Sequence, residues 1–144
     1  SFTLVELLVV IAIIGLLATI GFTAASSARD KAKNVRIQSD LSQIPPQATL
    51  IKNDADSYTG LCDTGNDTLC DNLVNCSGNN YTPQLKTIED DVRKFISSDP
   101  TCYATEDAYC VQSQLVRGGY YCIDSTGYAG TTSTNCNATN INCQ

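Results

Sequence analysis

The 144-residue sequence contains no histidine. Near-neutral acid–base catalysis and most zinc sites use that side chain. A GxSxG motif and a phosphate-binding glycine loop are absent from the sequence as well. These absences argue against an enzyme, and we predict no catalytic residue, no metal and no cofactor.

Charged residues are scarce at the start of the chain, and acidic residues predominate towards its end. Residues 1–28 carry Glu6 as their only charge, whereas residues 29–60 carry five basic and four acidic side chains. Residues 61–144 carry four basic and ten acidic side chains, a net charge of −6. This acidic part cannot neutralise many phosphates, so we expect it to bind no nucleic acid.

All eight cysteines lie in the acidic part, between residues 62 and 143, and no two have CxxC spacing. A zinc site would need four thiolates at irregular spacings, so disulfides and an oxidising compartment are favoured. Four bonds are predicted, although eight cysteines allow 105 pairings. The expected pairs are Cys62–Cys70, Cys136–Cys143, Cys102–Cys110 and Cys76–Cys122.

An uncharged run of 22 residues, 7–28, is about 33 Å long as a helix, enough to cross a bilayer core. An ordinary membrane anchor is the simplest interpretation. It leaves Glu6 unexplained, because a carboxylate in the apolar layer costs roughly 2.5–3.5 kcal/mol on insertion scales.

The helix is predicted to continue to about residue 55, because apolar residues then recur at spacings of three and four. They are Ile37, Leu41, Ile44, Ala48, Ile51 and Ala55. Pro45 and Pro46 should break or kink this helix, since neither has a main-chain N–H. The basic residues Arg29, Lys33 and Arg36 should face solvent or neighbouring molecules, either acidic surfaces of other subunits or anionic lipid.

The rest of the chain predicts a loop, a short helix and an antiparallel sheet. Residues 56–82 are rich in turn-forming residues, and Leu85, Ile88, Val92 and Phe95 have helical spacing after Thr82 and Pro83. Two strands within 102–116 and 120–130 should be joined by a turn at residues 117–119. The predicted class is α+β: helix halves 1–28 and 29–55, then a disulfide-rich domain, 56–144.

The segment FTLVELLVVIAIIGLLATIGF resembles the N-terminal signature of type IV pilins and of type II secretion pseudopilins. The resemblance implies a leader removed by prepilin peptidase, a methylated N-terminal residue, and subunits held in the inner membrane until assembly machinery builds a helical homopolymer. It implies an assembly site formed by Ser1, Phe2 and Glu6, with Glu6 pairing with a neighbouring subunit's N-terminal amine. Ser1 is expected to be the mature terminus; alternatively it lies outside the mature chain, which would make Phe2 the first residue. The helix residues expected in the filament core are Leu7, Leu8, Val10, Ile11, Ile14, Leu17 and Ile20.

The predicted function is the major subunit of an extracellular type IV pilus, with twitching motility and adhesion as roles to consider. Its partners would be other copies of itself, the lipid bilayer before assembly, and host or other cell surfaces. A pseudopilin and a non-polymerising membrane-anchored binding module are the alternatives. Weaker hypotheses are a calcium loop, which fails the EF-hand pattern, and glycosylation at Asn-x-Ser/Thr sequences. The residues concerned are Asp63, Gly65, Asn66, Asp67 and Asp71 for calcium, and Asn66, Asn75, Asn80 and Asn137 for glycosylation.

Overall fold

A computed structural model describes residues 2–63, 68–70 and 82–144. Within them the chain forms three α-helices, a short 3-10 turn at Thr59–Leu61, and one antiparallel sheet. This arrangement confirms the predicted α+β class. The helices are α1 (Leu4–Leu41), α2 (Ile44–Ala55) and α3 (Thr82–Ile96), and the strands are β1 (Thr101–Ala104), β2 (Tyr109–Gln114), β3 (Tyr120–Asp124) and β4 (Ala129–Thr132).

The predicted helix break lies between α1 and α2. In a continuous helix, the N–H groups of residues 45 and 46 would donate to the carbonyls of Leu41 and Ser42. Pro45 and Pro46 have no such N–H, so α1 ends at Leu41. The two prolines lie in the first turn of α2, where the missing donors have no intrahelical acceptor in any case.

The chain divides into two compact units, Ser1–Lys33 and Asn34–Gln144. The first is part of α1 alone. The second contains the rest of α1 and every other element, and it holds the hydrophobic core. Side chains from α1 and α2 share this core with α3 and with Val111 and Ile123 of the sheet. The buried apolar residues of the helices are Ile37, Leu41, Ile44, Ala48, Ile51, Leu85, Ile88 and Val92.

The predicted apolar stripe is therefore correct except at its end. Ala55 is exposed, because it is the last residue of α2 and the chain turns away at Asp56, which has a left-handed φ of 54°. The third helix follows its predicted pattern, with Phe95 only partly buried. It ends before Ser97, another residue of positive φ (55°).

The sheet has the strand order β1-β2-β3-β4, and every neighbouring pair is antiparallel. The predicted turn joins β2 to β3: Leu115 and Gly119 bond across it, and Gly118 and Gly119 both have positive φ. The prediction of two strands was wrong in number. Each predicted strand segment folds back as a hairpin, through residues 105–108 and 125–128.

The domain is disulfide-rich, as predicted, but the predicted pairing is wrong. The described bonds are Cys62–Cys102, Cys110–Cys136 and Cys122–Cys143, and Cys70 is also disulfide-bonded. They exclude the pairs Cys62–Cys70, Cys102–Cys110, Cys136–Cys143 and Cys76–Cys122; Cys76 itself lies outside the described residues. In each described bond a strand cysteine (Cys102, Cys110 or Cys122) is joined to a cysteine outside the sheet, at a sequence separation of 40, 26 or 21, so closeness along the chain does not determine the pairing.

Candidate assembly surface

The first helix begins with a capping box made by Thr3 and Glu6. The main-chain N–H and the hydroxyl of Thr3 both donate to Oε2 of Glu6, at 2.8 and 2.6 Å. In return, the N–H of Glu6 donates to Oγ1 of Thr3 at 3.3 Å. The pair thereby satisfies main-chain donors that have no acceptor within the helix.

The capping box changes the interpretation of Glu6. In an ordinary membrane anchor this carboxylate would be a costly charge in the apolar layer, yet here Thr3 supplies it with two donors. The carboxylate also lies in the first turn of α1, where the helix dipole favours negative charge. Ser1, whose amine is the expected partner in a neighbouring subunit, lies outside the described residues.

The apolar side chains of α1 in the Ser1–Lys33 unit are exposed all around the helix. Leu4 is 79% exposed and Phe22 is 81% exposed. The stretch is long and apolar enough to cross a membrane, and none of its most apolar window is buried. A helix that is apolar on every side needs lipid or other protein around it. Every expected filament-core residue lies on this surface: Leu7, Leu8, Val10, Ile11, Ile14, Leu17 and Ile20.

Two glycines lie on the same surface. A methyl group built at Gly15 or Gly21 would meet no atom within 4 Å. Packing in the described chain therefore does not require glycine at either position. Small residues in apolar helices permit the close approach of a second helix.

Basic residues follow the apolar surface. Arg29, Lys31 and Lys33 are exposed and make no ion pair within the part of the chain that the structure describes. Arg36 is also exposed, as predicted, but its guanidinium lies 3.4 Å from Asp40 and 4.0 Å from Asp91. Arg36 is therefore engaged within the Asn34–Gln144 unit, whereas the first three cations are available to other molecules.

Asp40 is a buried carboxyl group at the end of α1. It is 1% exposed, and its Oδ2 accepts no hydrogen bond from the described residues. Burial raises the pKa of Asp40, and the nearby Arg36 opposes that shift only in part. In its charged form the buried Asp40 carboxylate therefore lowers the stability of the folded protein.

Two buried polar side chains, both missed by the sequence analysis, hold the segment that follows β4. The amide group of Gln112 donates to the carbonyl of Thr134 and accepts from the N–H of Cys136, both at 3.0 Å. Asp124 accepts from the N–H of Cys143 at 2.9 Å. Strand alternation alone could not identify them, because their partners belong to a segment without regular structure.

Asp124 also organises the turn between β3 and β4. Its Oδ1 accepts from the N–H and hydroxyl of Thr126, at 2.9 and 2.6 Å, and from the N–H of Tyr128 at 3.3 Å. Burial would raise the pKa of Asp124, but the hydrogen bonds from Thr126, Cys143 and Tyr128 outweigh it and hold the pKa below its ordinary value.

The structure describes only some residues of the hypothesised calcium loop and glycosylation sites. Among the described residues, no group of three or more acidic, cysteine or histidine side chains could hold a metal ion. Asp63 is buried, while Gly65, Asn66, Asp67 and Asp71 lie outside the described residues. Of the sequon asparagines, Asn137 is described, and its Oδ1 accepts from the N–H and hydroxyl of Thr139. Asn75 and Asn80 lie outside the described residues.

Comparison with known proteins identifies the N-terminal segment. Residues 1–22 match the prokaryotic N-terminal methylation motif, the class III signal of type IV pilins and pseudopilins. No curated protein and no solved structure is significantly similar to the chain. The motif supports a type IV pilin-like or pseudopilin protein, a structural class that is usually non-enzymatic. It implies processing by prepilin peptidase, and the apolar helix fits membrane anchoring before assembly.

Proposed function

We propose that this chain is the major structural subunit of an extracellular type IV pilus. One observation carries the proposal: the methylation motif coincides with a helix whose apolar side chains are exposed on every side. Such a surface suits two successive environments, the lipid of the inner membrane and then the packed helices of a filament.

The proposal divides the chain by role. Residues 1–28 would pass from the bilayer into the filament core, and the predicted core residues from Leu7 to Ile20 would form the contacts there. Residues 29–55 would join this part to the disulfide-rich domain, 56–144. Several disulfides suit a domain that has to persist outside the cell, which favours a pilus over a short periplasmic pseudopilus.

Glu6 would pair with the N-terminal amine of a neighbouring subunit, whether Ser1 or Phe2 is the mature first residue. A carboxylate and an ammonium group that are both removed from water attract each other strongly. Removing one partner of such a pair costs on the order of 3–5 kcal/mol, because the other charge stays buried without compensation. Each added subunit would carry that cost, and every 1.4 kcal/mol corresponds to a factor of about ten.

The test compares Glu6→Ala and Glu6→Gln with wild type and with Glu106→Gln, a control substitution at an exposed acidic residue. Surface filaments are sheared from cells, viewed by electron microscopy, identified by mass spectrometry and normalised to processed subunit. We expect the Glu6 variants to be made and inserted but to form little filament, and the control to match wild type.

Two outcomes would contradict the proposal. Full filament yield from Glu6→Ala would show that Glu6 has no role in assembly. Processed wild-type subunit that forms no surface filament would favour a pseudopilin or a non-polymerising membrane-anchored module.

A further inference from the structure

We propose that Tyr128 closes the free edge of the sheet and so prevents two copies of this chain from joining their sheets through β4. This role goes beyond the proposed function, because it concerns a contact that the copies avoid and not the helix packing that would assemble them. It applies wherever many copies are crowded together, whether in a membrane or in a filament.

β4 is the last strand of the sheet, and the register determines which of its main-chain groups face outwards. The N–H of Asp124 donates to the carbonyl of Tyr128 at 3.1 Å, directly before β4 begins. Bonded and non-bonded pairs alternate along an antiparallel ladder. Ala129 and Thr131 are therefore at non-bonded positions, and their N–H and carbonyl groups point away from β3. Outward groups of this kind can pair with a strand of another molecule.

Two common protections of an edge strand are absent from this one. Charged side chains and proline prevent edge pairing in many proteins. Residues 125–144 contain no charged side chain and no proline. The side chains of β4 are also small, because its sequence is Ala-Gly-Thr-Thr. Two copies could therefore approach closely and pair their β4 strands, since the same edge is present on both.

The side chain of Tyr128 occupies this edge. Its hydroxyl donates to the outward carbonyl of Thr131 at 2.9 Å, the separation that the N–H of an incoming strand would take. Its ring lies close to Gly130, where an added methyl group would be 3.0 Å from the hydroxyl oxygen. Within the described chain, no other hydrogen bond reaches the outward groups of Ala129 and Thr131. Tyr128 therefore takes an acceptor that edge pairing needs, and glycine at position 130 gives its ring room to do so.

The alternative is that Tyr128 only stabilises the turn before β4, where its N–H bonds to Oδ1 of Asp124 at 3.3 Å. A lost turn contact would destabilise a single copy, whereas an opened edge would increase association between copies. Thr131→Pro separates the two effects, because it removes an outward N–H and leaves the ladder to β3 intact. Combined with Tyr128→Ala, it should suppress association only if the β4 strands pair.

The experiment measures association of the purified full chain in detergent micelles, by sedimentation velocity over a range of protein concentrations. The variants are Tyr128→Ala, Tyr128→Phe, and the double variant that combines Tyr128→Ala with Thr131→Pro. Tyr120→Ala is the matched control, because it removes another exposed tyrosine from the sheet. Disulfide mapping and circular dichroism show whether each variant is folded. Hydrogen–deuterium exchange of the peptide that contains residues 129–132 locates the contact.

We expect Tyr128→Ala to associate at a protein concentration roughly tenfold lower than wild type does. Residues 129–132 of this variant should exchange more slowly as association increases. Tyr128→Phe should lie between Tyr128→Ala and wild type, because its ring stays near Gly130 while the carbonyl of Thr131 is released. The double variant and Tyr120→Ala should match wild type.

Three results would overturn the inference. The first is wild-type association by a Tyr128→Ala variant with native disulfides, and the second is association that Thr131→Pro does not suppress. If Tyr128→Ala does not form the native disulfides, Tyr128→Phe decides the question, and its association at wild-type concentrations is the third. None of these measurements requires a filament, so this inference and the assembly role of Glu6 can be refuted separately.

Discussion

Replacing Asp124 with asparagine should destabilise the disulfide-rich domain by about 3 kcal/mol. Asp124 is 2% exposed. The new amide oxygen can still accept from Thr126 and Tyr128, but these bonds lose the contribution of the charge. The amide nitrogen would face the N–H of Cys143, which would lose its acceptor. A buried donor left without a partner costs about 1–3 kcal/mol, and bonds to charged groups are worth more than neutral ones.

The effect should depend on pH in a defined direction. Because the pKa of Asp124 is lowered in the folded protein, its stabilising contribution is present above the ordinary aspartate value of 3.8. The contribution is lost as the pH falls below 3.8 through the folded pKa. The difference between wild type and Asp124→Asn should therefore be full at pH 7 and shrink in acid.

The assay is urea unfolding of the full chain in detergent micelles with disulfides intact, followed by circular dichroism at several pH values. Glu106→Gln is the control, because this residue is exposed and only its main-chain carbonyl takes part in a described hydrogen bond with Lys52 or Tyr58. An unchanged unfolding midpoint for Asp124→Asn at pH 7 would refute the reasoning. A difference that persists undiminished well below pH 3.8 would refute the electrostatic part.

Two further predictions concern the same unit. Replacing Cys62 and Cys102 with alanine opens a bond of sequence separation 40 and should lower the free energy of unfolding by about 4 kcal/mol in the chain-entropy estimate. Denaturation midpoints measure this change, and peptide mapping that finds Cys62 bonded elsewhere would contradict the structure. Asp40→Asn should leave stability at pH 7 unchanged or raised, because it removes a buried charge that Arg36 compensates only in part. Since the pKa of Asp40 is raised in the folded protein, the wild type should gain stability relative to the variant as the pH falls through that pKa towards 3.8. If Asp40→Asn lowered the free energy of unfolding by about 2 kcal/mol or more at pH 7, on the scale of a broken buried network, the prediction would be contradicted.

Local patterns in the sequence were sufficient for most of the fold. The spacing of Leu85, Ile88 and Val92 predicted α3, and Pro45 and Pro46 predicted the break between α1 and α2. Gly118 and Gly119 marked the turn between β2 and β3. In each case a few neighbouring residues determine the conformation, so the signal is contained in the sequence itself.

The disulfide pairing could not be predicted from such local patterns, because it depends on contacts between distant parts of the chain. Cys110 lies opposite Asp124 in the sheet, and Cys122 lies opposite Gln112, so the register determines which later cysteine each of them can reach. The register depends on the whole sheet and not on sequence spacing. The capping box is different: Thr3 and Glu6 have its characteristic spacing, so the sequence alone contains the signal for this contact.

The two disulfides that hold the segment after β4 also impose an order on biosynthesis. Cys110 and Cys122 emerge 26 and 21 residues before their partners, Cys136 and Cys143. Where export accompanies synthesis at roughly 5–20 residues per second, each thiol waits about one to five seconds, which overlaps the fastest disulfide formation. During that interval Cys110 and Cys122 can react with each other, and such a bond has to be exchanged before the native pairs can form. Maturation would then be a kinetic competition between chain delivery and thiol oxidation, and cells with slow disulfide exchange should accumulate misbonded subunit.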